Sequence, residues 1–433
     1  MNAQKANDTK GKVQQLQRKL YQSAKLSSKR KYHALYDKVY REDILEEAWK
    51  RVRANGGIGG VDGVSIGVIK EYGAEKLLSE IETELKQGTY RPLPVRRTYI
   101  PKENGKVRPL GIPVVKDRVV QMAANLVMEP IFEADFKDFS YGFRPKRSTR
   151  QALEVVRKAC NRKGWWVVDV DIQSYFDNIN HDKLMKMVGM RINDRRMLKL
   201  LRQWLKAGVM TEEGYVETEM GSPQGGVISP LLSNIYLHYL DVRWSKEGSH
   251  LGTLVRYTDD LVIVCRTRKD ASHALSFVRA VMERLELKLH PEKTKLVSMW
   301  EGREGFDFLG MHHRSMATET SQMQRYYNYT LHQFPSKKAM KKMRLRVKEI
   351  LGQRNVLWKG LSDVVGELNP VLRGWRNYYG LKTAGKWLAK VDWYIFKRIV
   401  IWYNKKRKER RHLTNRSKVR DMLSTQKLIR LAA

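Results

Sequence analysis

Two pairs of aspartates in apolar surroundings are the residues of this chain best placed to do chemistry. In Arg256-Tyr-Thr-Asp259-Asp260-Leu-Val-Ile-Val264, apolar residues flank two adjacent acids. A turn between two strands would set both carboxylates on one tip, where like charges repel and each needs solvation. A plain surface turn also accounts for such a pair, because Asp is common in turns. A divalent cation answers the repulsion, and hard oxygen donors select Mg²⁺, with Mn²⁺ as a possible substitute. The second pair, Asp169 and Asp171, lies in Trp165-Trp-Val-Val-Asp-Val-Asp-Ile172, which reads as a strand. Alternate residues of a strand share a face. A strand rich in Val and Trp should not carry two acids unless something pairs with them, and metal is the economical partner. Two cations held by a few carboxylates can activate a hydroxyl nucleophile and stabilise a leaving pyrophosphate.

The composition points to a polyanionic partner. The 433 residues include 83 Lys+Arg against 46 Asp+Glu, a formal net charge of +37. Self-repulsion of that size makes sense when phosphates compensate it, against the blander alternative of a basic surface with no dedicated ligand. The length predicts two or three domains, and a hydrophobic content of 42% argues against disorder throughout. Cys160 and Cys265 cannot supply a disulfide framework or a four-cysteine site, so no zinc is expected. The first residues lack an apolar signal segment, and no stretch approaches the ~18 apolar residues of a membrane span. These features predict a bacterial cytoplasmic protein associated with nucleic acid.

The elements that must position the acids follow from periodicity and turn chemistry. Residues 1–30 are polar and read as a flexible or loosely helical basic arm. Tyr32–Leu85 is helical except for the glycine-rich loop Asn55–Gly63, which lacks the Gly-Lys-Ser/Thr ending of a P-loop, so an NTPase is rejected. Residues 94–113 read as a hairpin around Asn104-Gly105. A two-residue turn there pairs Pro101 with Arg108 and sends Lys102 to the opposite face; a longer loop or a bulge brings the two cations together. Helical segments are expected at 114–165, at His181–Lys206, from the Gly221–Gly226 loop to Asp241, and at Asp270–Leu289. Thr253–Cys265 reads as a hairpin and Phe306–His313 as a short strand. Beyond about residue 330 the chain is helical and strongly basic.

Asp171-Ile-Gln-Ser-Tyr-Phe176-Asp177, then Gly221-Ser-Pro-Gln224-Gly-Gly-Val-Ile-Ser-Pro-Leu-Leu-Ser-Asn234, then Tyr257-Thr-Asp-Asp260, resemble in order and separation motifs A, B and C of reverse transcriptases. The resemblance implies an α+β right-hand polymerase. Residues 31–165 would be the N-terminal extension and fingers, 166–315 a palm with an antiparallel sheet flanked by helices, 330–404 an α-helical thumb or X domain, and 405–433 a basic C-terminal tail. It implies that Asp171, Asp259 and Asp260 hold two Mg²⁺ ions, with Asp169 supporting them, although spacing alone leaves Asp169 open as a ligand. Phe176 matches an aromatic gate against ribonucleotides, with a core role for Phe176 and a nucleotide-facing Tyr175 as the alternative. Gln224 matches a glutamine beside the incoming nucleotide, Lys102 and Arg108 a basic pair on its triphosphate, and Lys293 a lysine that protonates pyrophosphate. Phe308-Leu-Gly310 resembles a primer-grip turn.

Two further segments resemble the group II intron branch of that family: Asn55–Ser65, and Leu368-Asn-Pro-Val-Leu-Arg373-Gly-Trp-Arg376-Asn-Tyr-Tyr-Gly380, which is similar to the maturase signature. Aromatic clusters in helices more often pack than bind, so Trp375 and Tyr379 read as core. Arg373 and Arg376 read as RNA contacts, and so do Lys405, Lys406 and Arg407 of the basic run. The implied partners are an RNA template, most simply group II intron RNA, a DNA primer or target, and deoxynucleoside triphosphates. Two departures stand out. Thr258 occupies a position where many relatives carry Ala, and the lack of further cysteines after the basic run leads to the expectation of no zinc-supported endonuclease domain. The implied activity is RNA-directed DNA synthesis together with help in intron splicing and mobility. The alternatives are an RNA-binding splicing factor with a dead polymerase, against which the intact acids argue, and a domesticated relative serving DNA repair or phage defence.

Overall fold

The computed structural model describes residues 2–101, 107–221, 225–318, 328–409 and 415–432. Lys102, the Asn104-Gly105 turn, Gln224 and the end of the basic run at 410–412 lie outside them. In chain order the strands are β1 (Val95–Pro101), β2 (Val107–Ile112), β3 (Trp166–Val170), β4 (Val209–Thr211), β5 (Gly214–Val216), β6 (Thr253–Tyr257), β7 (Asp260–Cys265), β8 (Lys295–Ser298), β9 (Gly305–Phe308), β10 (Met311–Thr318) and β11 (Asn328–Pro335).

The Val- and Ile-rich segments around the acids form one antiparallel sheet in the order β6-β7-β3-β8. This is the palm. The interior strands β3 and β7 bury Val167, Val168, Val262 and Ile263 completely, as strands covered on both faces must. The fingers carry the sheet β2-β1-β4-β5, in which β1 and β4 run parallel. Packed against helices Asn2–Leu26 and Glu42–Asn55, helix Val115–Glu133 is buried on nearly every side, including Val119, Ala123, Leu126 and Ile131, and a helix apolar all round belongs in the interior. The third sheet, β9-β10-β11, links the palm to the thumb. The thumb helices Lys337–Gly352, Leu361–Tyr379 and Gly385–Lys406 enclose their own apolar core, and Phe334 stacks on Trp387 at 3.6 Å. The α+β right-hand class expected from the sequence is the fold observed.

Several local expectations need correction. Residues 2–26 form one helix, so of the two readings of this arm the helical one holds and the flexible one does not: Val13, Leu20 and Ala24 are buried, Gln17 donates to the Leu126 carbonyl at 3.0 Å, and Lys25 donates to the Ala134 carbonyl at 3.1 Å. The fingers hairpin pairs Pro101 with Val107 and Ile100 with Arg108, one residue away from the two-residue-turn register. The stretch His181–Lys206 divides into helices His181–Gly189 and Arg195–Leu205, the second capped by Asp194. Phe306–His313 is a strand pair, β9 and β10, turning at Leu309-Gly310.

The C-terminal segment is more than a basic tail. Helix Arg416–Thr425 buries Val419 and Leu423 in the thumb core, Leu431 is buried beside them, and the Leu431 N–H donates to Asp392 at 2.9 Å. Burying a Val or Leu side chain is worth about 1.5–3 kcal/mol. Deleting residues 415–433 is therefore expected to destabilise the thumb by roughly 5 kcal/mol or more, visible as an earlier urea transition and faster proteolysis. A truncated chain that unfolds at the parent's urea concentration would show that this helix contributes only charge.

Candidate active site

The register Tyr257↔Asp260 leaves Thr258 and Asp259 as the two central residues of the β6–β7 turn. Thr258 has φ of +61° and is buried. A β-branched residue in the left-handed region is strained by about 1–3 kcal/mol and persists only where its surroundings over-determine it. Here they do. Arg256, one of the largest fully buried side chains, donates from Nη1 to the Thr258 carbonyl at 3.0 Å and to Asn234 Oδ1 at 3.1 Å. Its Nε and Nη2 donate to the Asp241 carboxylate at 2.8 and 2.5 Å. Asn234 in turn donates to the Gly142 carbonyl at 2.8 Å. A Cβ at Gly142 would stand 2.4 Å from Thr258 Oγ1 and 2.6 Å from its backbone nitrogen, so only glycine fits against the turn. Burial alone would raise the Asp241 carboxyl, but Arg256 and His238 outweigh it and hold it below the usual carboxylate range.

The acids sit around this turn. Loss of surrounding water raises Asp260 to about 6, and the charges of Asp259 and Asp171 push the same way. Asp169, inside β3, rises to about 7, first through burial and then through Asp260 and Asp171. Asp259 is raised by burial and by Asp171, while Arg108 of the fingers and Arg256 draw it down. Asp171 stands just past the end of β3. Its N–H reaches Thr294 Oγ1 at 3.4 Å, its carbonyl accepts from His290 N at 2.8 Å, and its carboxylate pairs with Lys293 Nζ at 3.2 Å. Among the described residues no three acids, histidines or cysteines converge as a ready-made metal cage. The carboxylates instead raise one another's proton affinity through their charges, with Lys293 paired to Asp171. An all-oxygen, mutually repelling donor set suits a hard divalent cation.

The other residues singled out in the sequence distribute as follows. Tyr175 is fully buried and donates to the Ser233 carbonyl at 2.8 Å, while Phe176 is half-buried with its ring edge-on to Tyr175 at 5.2 Å. Gly221 presses on the backbone of Phe176 and Asp177, where a Cβ would come within 2.9 Å of the Phe176 carbonyl. The maturase-like aromatics pack. Trp375 lies 4.5 Å from Tyr379, Tyr378 donates to the Leu309 carbonyl at 2.7 Å, and the Tyr379 hydroxyl closes over Gly310. The primer-grip-like turn is thus tied to the thumb helix, on which Arg373 and Arg376 are exposed. Lys405 is exposed at the helix end. Lys406 donates to the Lys359 carbonyl at 2.6 Å, and Arg407 to the Tyr403 hydroxyl at 2.6 Å. Sequence reasoning assigned no role to Arg256, Asp241 and Gly142. The usable signal was an arginine in the apolar strand Leu254-Val-Arg-Tyr257, which requires a buried counter-charge.

A fingers–palm–thumb architecture with acids on a palm hairpin defines a right-hand nucleic-acid polymerase. Residues 100–313 match the family model "Reverse transcriptase (RNA-dependent DNA polymerase)", and residues 340–420 match "Group II intron, maturase-specific domain". The chain is 37% identical over 336 residues to Protein YkfC of Escherichia coli, covering 69% of this chain and 87% of that one. It is 41% identical over 208 residues to the group II intron-encoded protein LtrA of Lactococcus lactis, covering 48% of this chain and 34% of LtrA. A chain of the partial Cas6-RT-Cas1–Cas2 complex matches with 21% identity and a TM-score of 0.36, over 58% of this chain and 43% of that one. The chain belongs to the RNA-dependent DNA polymerases that carry a group II intron maturase-specific domain. No helix among the described residues is long and apolar enough to cross a membrane.

Proposed function

We propose that the chain copies RNA into DNA with two Mg²⁺ ions held by Asp171, Asp259 and Asp260, and that its thumb holds group II intron RNA to assist splicing and mobility. The observation that supports this is the register that sets the Asp259-Asp260 turn of β6–β7 next to β3, at whose end Asp171 stands. Cations there would supply Lewis-acid activation of the primer 3′-hydroxyl and neutralise charge on pyrophosphate. The chain's own residues do the rest. Arg256 and Asp241 fix the turn that aims Asp259 and Asp260. Arg108 extends positive charge from the fingers toward Asp259, where a triphosphate would lie. Lys293 sets an ammonium beside Asp171 that can protonate the leaving pyrophosphate. The test is extension of oligo(dT) on poly(rA) with Mg²⁺. Failure of the pure, folded protein to extend the primer would overturn the polymerase reading. A group II ribozyme flanking the gene would support the intron partner, and its absence would favour a domesticated role.

Selection of deoxynucleotides is assigned to Phe176. With Tyr175 sealed in the core, Phe176 is the ring of the pair left to lie against C2′ of the incoming sugar. Exclusion by steric conflict is worth about 1–3 kcal/mol, or roughly 10–200-fold. Phe176→Val should raise ribonucleotide incorporation relative to deoxynucleotide by such a factor, whereas a change at Tyr175 should cost stability first. Single-nucleotide incorporation ratios decide it. A soluble, active Phe176→Val that rejects ribonucleotides as well as the parent places the gate elsewhere.

A further inference from the structure

Helix Gly385–Lys406 has two unlike faces. Leu388, Val391, Ile395 and Ile399 point into the thumb core. Lys386, Lys390, Trp393 and Lys397 recur at the same helical spacing on another side, a line about 16 Å long at 1.5 Å per residue. Trp393 is 59% exposed, far more than a tryptophan that merely packs, and Lys397 Nζ lies 5.3 Å from its ring centroid. The ring forms a wall shared by two clefts. Arg344, Lys386 and Lys390 line one of them, with the Arg344 guanidinium over Tyr394 at 5.8 Å. Arg420, Lys427 and Arg430 line the other. Asp392, the one acid among its described lining residues, is engaged by the N–H groups of Leu431 and Ala432. An exposed aromatic face flanked by cations on both sides, with no other carboxylate side chain among the described residues that line either cleft, is chemistry for an unpaired base with its phosphates.

We propose that Trp393 is a stacking platform for single-stranded or looped RNA on the exposed side of helix Gly385–Lys406, in clefts that none of the palm acids lines. The proposal deepens the reading of the thumb as an RNA-holding domain and rests on it. Duplex RNA offers no free base face to the ring and would meet only the cations, so the site discriminates unpaired from paired RNA. Stacking on one aromatic is worth about 1–3 kcal/mol per base, or roughly 5–150-fold in affinity.

The test uses the full chain with poly(rA)/oligo(dT) filling the palm cleft and a labelled oligo(rC) of about 12 nucleotides, within the span of single-strand sites. The parent should bind oligo(rC). Trp393→Ala should bind it at least about fivefold more weakly with the same salt dependence, and Trp393→Phe should recover most of the loss. Lys390→Gln should instead lower the slope of log K against log salt. Binding of an RNA duplex, and primer extension itself, should be unchanged by Trp393→Ala. Primer extension is read in the same samples, so failure of the polymerase reading shows separately from failure of this one. Equal oligo(rC) binding by parent and Trp393→Ala, no binding by the parent, or an equal loss on duplex RNA each overturns the proposal. A Trp393→Ala that alters only self-association would assign the ring to a protein contact and overturn it too.

Discussion

Asp259→Ala and Asp171→Ala should each lose DNA synthesis by on the order of 10³-fold or more, about 4 kcal/mol of transition-state stabilisation, while RNA binding stays near the parent's. The separation follows from which groups do what. On the proposed mechanism the carboxylates would act on cations at the reacting phosphate, whereas affinity would come from Lys and Arg on the backbone phosphates. Stability should move the other way. A carboxyl raised above its unfolded value of 3.8, as Asp260 is, to about 6, contributes stability that is fully present below pH 3.8 and lost as the pH rises through about 6. At neutral pH Asp259 and Asp260 therefore oppose folding, and in chelator Asp259→Ala or Asp260→Ala should melt no lower than the parent. Near-parental primer extension by Asp259→Ala or Asp171→Ala would remove the acids from the active site. A marked drop in melting temperature would show that they hold the fold.

Asp241→Ala should be among the most destabilising single changes in the chain, costing about 3–5 kcal/mol. It strands the Arg256 guanidinium in a site with no solvent exposure on either side chain. The same change frees the Thr258 carbonyl's donor to reorient, so polymerisation should fall even below the melting transition, with the apparent KM for primer–template little altered. Because Asp241 is held below its unfolded 3.8, its contribution is present above that value and lost as the pH falls through the folded value. Urea unfolding of the variant measures the effect. A loss under about 1 kcal/mol, within the range of ordinary surface substitutions, would mean that water or a rearranged partner satisfies Arg256.

The grouping of the acids was readable in the sequence because these residue types are costly where they stand. Acids in Val-rich strands, and an acid pair between two apolar runs, have few explanations. Their positions followed from two-residue alternation, except that Asp171 falls just beyond β3 and takes its backbone partners from Thr294 and His290, more than a hundred residues away in sequence. The N-terminal segment could be read only as flexible or loosely helical because low apolar content hid a thin stripe, Val13, Leu16, Leu20 and Ala24, at helical spacing. The C-terminal helix was missed for a similar reason: charge outnumbers the three or so apolar residues that anchor it. The Arg256–Asp241–Asn234 network joins segments 15 and 22 residues apart in the chain, a pairing that no local pattern announces.

The support of the β6–β7 turn by Arg256, rather than by the acids it displays, has an evolutionary consequence. On the proposed mechanism, catalysis and folding are written on different side chains that are near neighbours in sequence. A single change at Asp259 would then silence copying and leave a folded, RNA-binding chain on which selection for RNA handling continues to act. A change at Arg256 removes both at once and leaves nothing to inherit. Drift from polymerase toward pure RNA chaperone therefore has an open route through the acids, and the buried arginine should outlast them in any lineage that takes it.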